Sequence, residues 1–190
     1  RVQTAGASPW YKPYLLRAEE LGIASRASAL PWETVTRERM ASMLARALRQ
    51  ADSGRPGNLS AGCFTAPPAR PPDSVQVLGA TRSFILSVPS GYSPREPHPL
   101  IIAFHGRTNS NERVREYYRL EQTGLDALVA YPAGQGRSDG TYLWSPTTDL
   151  RFFDVLVKEV SARYCVDLDR VFAAGHSLGA WFANVVGCAY

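Results

Sequence analysis

Residues Gly175-His176-Ser177-Leu178-Gly179 form a G-x-S-x-G run directly after the apolar stretch RVFAA and directly before the apolar stretch AWFANVVGCAY. Small residues on both sides of a serine let a strand turn abruptly into a helix, which leaves the hydroxyl projecting at the apex. A serine so placed can attack a carbonyl when a base takes its proton and fixed N–H groups meet the charge that develops on the carbonyl oxygen. The spacing predicts Ser177 as nucleophile and the Leu178 N–H, at the helix start, as one oxyanion donor. The second donor is expected from the loop after His105-Gly106, at Arg107, with Thr108 as the alternative. The competing reading is a glycine-bounded helix cap without chemistry.

None of the three histidines reads as the base. His105 closes the run LIIAFHG and is expected to pack at a strand end or support the loop. His176 sits inside the turn, with its side chain expected to point away from Ser177. His98 lies in PREPHP and reads as a solvated loop residue. Elbow-type hydrolases place the acid and the histidine after the serine in chain order, yet residues 178–190 contain no Asp, Glu or His. The expectation is therefore the front part of a hydrolase site, with acid and histidine absent from the chain. Asp139, Asp149 and Asp154 read as a turn residue, a helix cap and the polar side of a helix.

Three apolar runs, LIIAF, LDALVAYP and RVFAAG, must carry these groups, and helical patterns separate them. One is a polar segment over Glu112 to Gln122. The other, residues 149–164, repeats Phe152, Val155, Leu156 and Val160 at helical spacing. Strands alternating with helices predict an α/β architecture with a mostly parallel sheet and crossover helices. VQVLGATRSFILSVP adds a strand pair turning at Gly79. The Gly- and Pro-rich residues 51–74 read as linker and lead-in, which divides the chain into a helical segment 1–50, that linker, and a sheet domain 75–190.

The 190 residues, 45% hydrophobic and 20% charged, suit a folded chain with one core. No apolar run approaches the roughly 18–20 residues of a membrane span, which excludes an integral membrane protein. The net charge of +4 arises before residue 60. Arg37, Arg39, Arg46 and Arg49 there lack the interleaved aromatics of a nucleic-acid surface. Cys63, Cys165, Cys188 and the histidines lack the close spacing of structural metal ligands, and the proposed chemistry needs no cofactor.

GCF at 62–64, RSFILSVPSGYSPREPHPLIIAFHG at 82–106, LVAYPAG at 128–134, Trp144, the DLRFFDVLV segment and CVDLDRVFAAGHSLGAWFANVVGC at 165–188 occur in that order. Together they resemble the secreted polyhydroxybutyrate depolymerase and feruloyl esterase group over residues 60–190. The resemblance implies an incomplete α/β-hydrolase domain with Ser177 as nucleophile and no metal or organic cofactor. It implies as substrate an ester on plant cell-wall polysaccharide or a polyester. It further implies a disulfide between Cys165 and Cys188, which would brace the turn between strand and helix; the alternative is two buried thiols. Trp144, in TYLWSP, is a candidate to stack an aromatic acyl group or, alternatively, to cover the core. WYKPY at 10–14, AEELGIAS at 18–25 and VTRERMASMLARAL at 35–48 resemble one S-layer homology repeat of two short helices. That likeness implies contact with cell-wall polysaccharide through residues 10–49 and a secreted or bacterial cell-surface location.

Overall fold

Leu78 and Gly79, both at positive φ (50° and 82°), fold strand β1 (Ser74–Val77) back onto β2 (Ala80–Ser87) in the two-residue turn that matches strand twist. This hairpin is the first strand pair of a computed structural model that describes residues 58–190. The S-layer-like stretch 10–49 and the start of the linker lie outside the described residues. After the hairpin come β3 (His98–Phe104), α1 (Asn111–Tyr118), β4 (Leu128–Pro132) and a small hairpin, β5 (Gln135–Gly136) with β6 (Tyr142–Leu143). Then follow α2 (Thr148–Arg163), β7 (Val166–Gly175) and α3 (Leu178–Ala189).

The five-stranded sheet has the order β1-β2-β4-β3-β7. β1 with β2 and β2 with β4 are antiparallel, whereas β4 with β3 and β3 with β7 are parallel. This corrects the expectation of a mostly parallel sheet: the pairings divide evenly. Apolar runs report which strands are buried, not which way they run. Direction follows from the connections, because a parallel return needs a crossover long enough to hold a helix. α1 provides one between β3 and β4, and α2 lies on the path from β4 to β7. The tight turn between β1 and β2 provides none.

β3 and β4, flanked on both sides in the sheet, are buried at every residue. Around Phe104, at the end of β3, the rings of Phe182, Trp144 and Phe153 gather at centroid distances of 4.9, 5.2 and 6.5 Å. α2 adds Phe152, Leu156 and Val160 to the same core, and α3 adds Phe182 and Val186.

Cys165 is bridged to Cys63 and not to Cys188, which is exposed on α3. The physical reason lies in the lead-in, which runs beside the start of β7. The Ser60 N–H donates to the Val166 carbonyl (3.0 Å), Ser60 Oγ donates to the Tyr164 carbonyl (2.8 Å), and the Gly62 N–H donates to the Ser161 carbonyl (2.9 Å). A Cβ on Gly62 would come within 2.4 Å of the Tyr164 nitrogen, so only glycine permits this approach. It delivers the next residue, Cys63, to Cys165. Residues 58–65 are thereby bonded to the sheet domain.

Asp149 is buried one residue into α2 and organises the turn ahead of it. Its Oδ2 accepts from the Ser145 N–H at 2.6 Å, and its Oδ1 lies 2.5 Å from Arg82 Nη1 on β2. Arg82 also donates to the Ala133 carbonyl at 2.9 Å and lies over the Phe152 ring. The N-cap residue, Thr147, makes no side-chain cap hydrogen bond, and Ser145 Oγ accepts from the Thr147 and Thr148 N–H groups. Asp149→Ala strands a largely buried guanidinium and an unmet amide, and is expected to lower unfolding free energy by about 3–5 kcal/mol in urea titration. Asp149→Asn, which keeps an acceptor, should lose less.

Candidate active site

β3 and β7 are neighbours in the sheet, and the register pairs Phe104 with Gly175. Two parallel strands that end level deliver the segments after them to the same edge of the sheet. The 105–110 loop and the 176–179 turn therefore meet. A Cβ built on Gly106 would lie 3.5 Å from the Ser177 Cβ and 3.4 Å from the His176 carbonyl oxygen.

Ser177 has φ 54° and ψ −121°, a backbone state that L-residues rarely adopt. It joins β7 to α3 at the apex of the turn, exposed, and its side chain makes no cap hydrogen bond to α3. The glycines on either side serve close packing. A Cβ on Gly175 would stand 2.4 Å from the Gly179 carbonyl group, and one on Gly179 would stand 2.3 Å from the Phe104 oxygen and 2.6 Å from the His105 oxygen. The first turn of α3 is thus seated directly on the end of β3. Gly179→Ala is expected to destabilise the protein by about 1–3 kcal/mol, because the obstructing atoms are backbone and cannot rotate aside. A melting temperature unchanged from wild type would show that the seat is looser than described.

Leu178 begins α3, so its N–H has no intrahelical acceptor and stays available beside Ser177. Arg107 is exposed on the facing loop, and its carbonyl accepts from the Tyr142 N–H of β6 at 2.7 Å, which ties the loop to the small hairpin. Ser177, Leu178 and Gly106 therefore come together, with Arg107 the next residue along the facing loop. An exposed hydroxyl beside the first N–H of a helix is an arrangement in which developing negative charge can be met by that N–H.

His105 supports this loop. It is fully buried, its Nδ1 is 2.8 Å from the Gly106 oxygen, and its Nε2 accepts from the Gly134 N–H at 2.8 Å. These partners assign the neutral Nδ1–H tautomer. Burial holds the imidazole below its usual pKa, against the upward pull of the Gly106 hydrogen bond. With both nitrogens engaged, His105 is not a base for Ser177.

Trp144 proves to be a core residue, which corrects its candidacy as a substrate contact. It is 3% exposed and stacked on Phe182 at 5.2 Å and 11°, and its Nε1–H donates to the His105 carbonyl at 2.9 Å. The ring braces the strand end beneath the loop. His98 is likewise buried rather than solvated: it is the first residue of β3, its Nε2 accepts from the Ser93 N–H, and its Nδ1 lies 3.4 Å from Asp126. The prolines around it mask the strand start in the sequence. It stands at the opposite end of β3 from the turn.

Asp139 closes a turn by accepting from the Thr141 N–H and hydroxyl, and those hydrogen bonds hold its carboxyl below the ordinary range. Asp154 accepts from the Tyr190 hydroxyl. Sequence reasoning overlooked Tyr117, whose exposed ring stands 6.5 Å from that of His176. Its only trace was its place in the helix that follows the oxyanion loop.

No protein-family model matches the chain. Among curated proteins it is 33% identical over 116 residues to "Probable feruloyl esterase C" of Aspergillus flavus, which covers 57% of this chain and 42% of that protein. It is 29% identical over the same length and shares to feruloyl esterase C of Emericella nidulans. To feruloyl esterase D of Neurospora crassa it is 25% identical over 144 residues, 68% of this chain and 49% of that protein. The chain is thus distantly similar to fungal feruloyl esterases. The chain spans less than half the length of these relatives. The polyhydroxybutyrate depolymerase and S-layer likenesses find no support among them. Solved structures of a pOPH variant with DMSO and of native sOPH share the fold, with TM-scores of 0.53 and 0.51 at 16% identity, over 66% and 65% of this chain and 48% and 49% of theirs. Among the described residues no helix is long and apolar enough to cross a membrane.

Proposed function

We propose that the protein is a serine carboxylic-ester hydrolase of the feruloyl esterase type, acting on ester-decorated plant cell-wall polysaccharide. The observation that carries the reading is the placement of Ser177, exposed at φ 54° between β7 and α3 and facing the Gly106 loop. Ser177 Oγ attacks the ester carbonyl carbon as its proton passes to a general base. The Leu178 and Arg107 amides hold the oxyanion, and the carbon–oxygen bond to the alcohol then breaks while the alcohol takes the proton. Water releases the acid from the acyl-serine by the same steps. His98 and His105 are committed to other partners and are not that base. The Cys63–Cys165 bridge supports work in an oxidising, extracellular setting.

An activated aryl ester of ferulic acid tests this directly. Peptide mass spectrometry is expected to find the feruloyl group on Ser177 and to find none in Ser177→Ala. Acylation at another residue, or none in the wild-type protein, would overturn the assignment.

A further inference from the structure

With Trp144 in the core, the acyl-group contact must come from elsewhere on the rim of the turn. α1 follows directly from the proposed oxyanion loop, and its last turn carries two tyrosines with opposite fates. Tyr118 is 1% exposed and anchors the helix, while Tyr117 is 52% exposed. Consecutive helical positions point about 100° apart, so anchoring one ring presents the other. The helix ends immediately afterwards, where Arg119 takes φ 46° and its N–H donates back to the Arg115 carbonyl, so the position of Tyr117 is defined.

The Tyr117 ring faces that of His176, with centroids 6.5 Å apart and planes 50° from parallel. His176 is exposed, and its Nδ1 is 3.5 Å from the Cβ position on Gly106, which is itself 3.5 Å from the Ser177 Cβ. Two solvent-facing rings thus face each other, one on the turn that carries the proposed nucleophile and the other on the helix that follows the proposed oxyanion loop. Inclined ring planes of this kind offer a planar aromatic group both face and edge contacts.

We propose that Tyr117 and His176 form the acyl-recognition rim of the site and make it selective for esters of aromatic, hydroxycinnamoyl-type acids over aliphatic ones. The proposal rests on the esterase reading of Ser177 and deepens it. Equilibrium binding of methyl ferulate and of methyl butyrate to the full chain tests it without requiring turnover. Tyr117→Ala is expected to weaken methyl ferulate binding by about three- to tenfold, the loss of one aromatic contact. Tyr117→Phe should retain it, and methyl butyrate should bind all three proteins alike. Phe64→Ala removes another exposed aromatic, near the start of β7, and should change nothing. Unchanged methyl ferulate binding in Tyr117→Ala, or an equal loss for methyl butyrate, would overturn the rim. Acylation of Ser177 is scored separately. Selective loss of binding in Tyr117→Ala without any acyl-serine in wild type sustains the rim and rejects the nucleophile, whereas acylation with unaltered binding does the reverse.

Discussion

Ser177→Ala is expected to reduce hydrolysis of methyl ferulate to background while leaving the urea unfolding curve in place. Where a catalytic serine works with its full set of partners, removing it lowers kcat by about a million-fold. Stability should move by no more than about 0.5 kcal/mol, because the hydroxyl is exposed and does not cap α3. Alanine keeps a Cβ and therefore keeps the backbone strain of φ 54°. Glycine does not. Ser177→Gly should be equally inactive yet more stable than wild type by about 1–3 kcal/mol, the range for a residue held in a sparsely populated conformation. That opposite response separates a turn strained to display its hydroxyl from an ordinary helix start. Turnover persisting in Ser177→Ala would place the nucleophile elsewhere.

Reducing the Cys63–Cys165 bridge, or replacing Cys63 with serine, is the change expected to cost most in stability. The bridge joins residues 102 apart, and closing a loop of about 100 residues in the unfolded chain corresponds to roughly 4.7 kcal/mol on the chain-entropy account. The loss reaches beyond the sulfurs. The same bridge keeps the 58–65 lead-in beside β7, where Ser60 Oγ meets both the Tyr164 carbonyl and the Val166 N–H. Urea titrations with and without reductant measure the effect. Cys188→Ser, on the exposed end of α3, should shift the midpoint far less. An equal shift in the two serine variants, or a non-reducing peptide map joining Cys165 to Cys188, would show that the pairing is misassigned.

The turn around Ser177 was legible because its constraints are local. Five consecutive residues at a strand end announce a tight strand-to-helix turn, and the sub-3 Å approaches at Gly175 and Gly179 show why side chains are excluded there. The strand and loop that face this turn were legible for the same reason: an apolar run ending in His105-Gly106 marks a strand and its loop before any fold is known. The helix over 149–164 likewise declared itself by its spacing, within one residue of the observed α2.

Facts that depend on segments meeting across long stretches of chain were beyond the pattern. Cys165 had two possible partners, and the choice turned on how closely the lead-in approaches Tyr164, which a glycine three residues from Leu59 permits but does not announce. Trp144 and His98 sit in polar, proline-flanked sequence that reads as loop, yet neighbouring strands and helices enclose both. Strand direction in the sheet was set by the lengths of connections and by which edges remained to be paired. The sequence by itself determined the strand-to-helix turn at Ser177 and the strands that flank it, because backbone sterics act between near neighbours. Tertiary structure alone decided the disulfide, the half-antiparallel sheet and the exposure of Tyr117 beside His176, because burial and pairing are properties of surfaces that exist only once distant segments have packed.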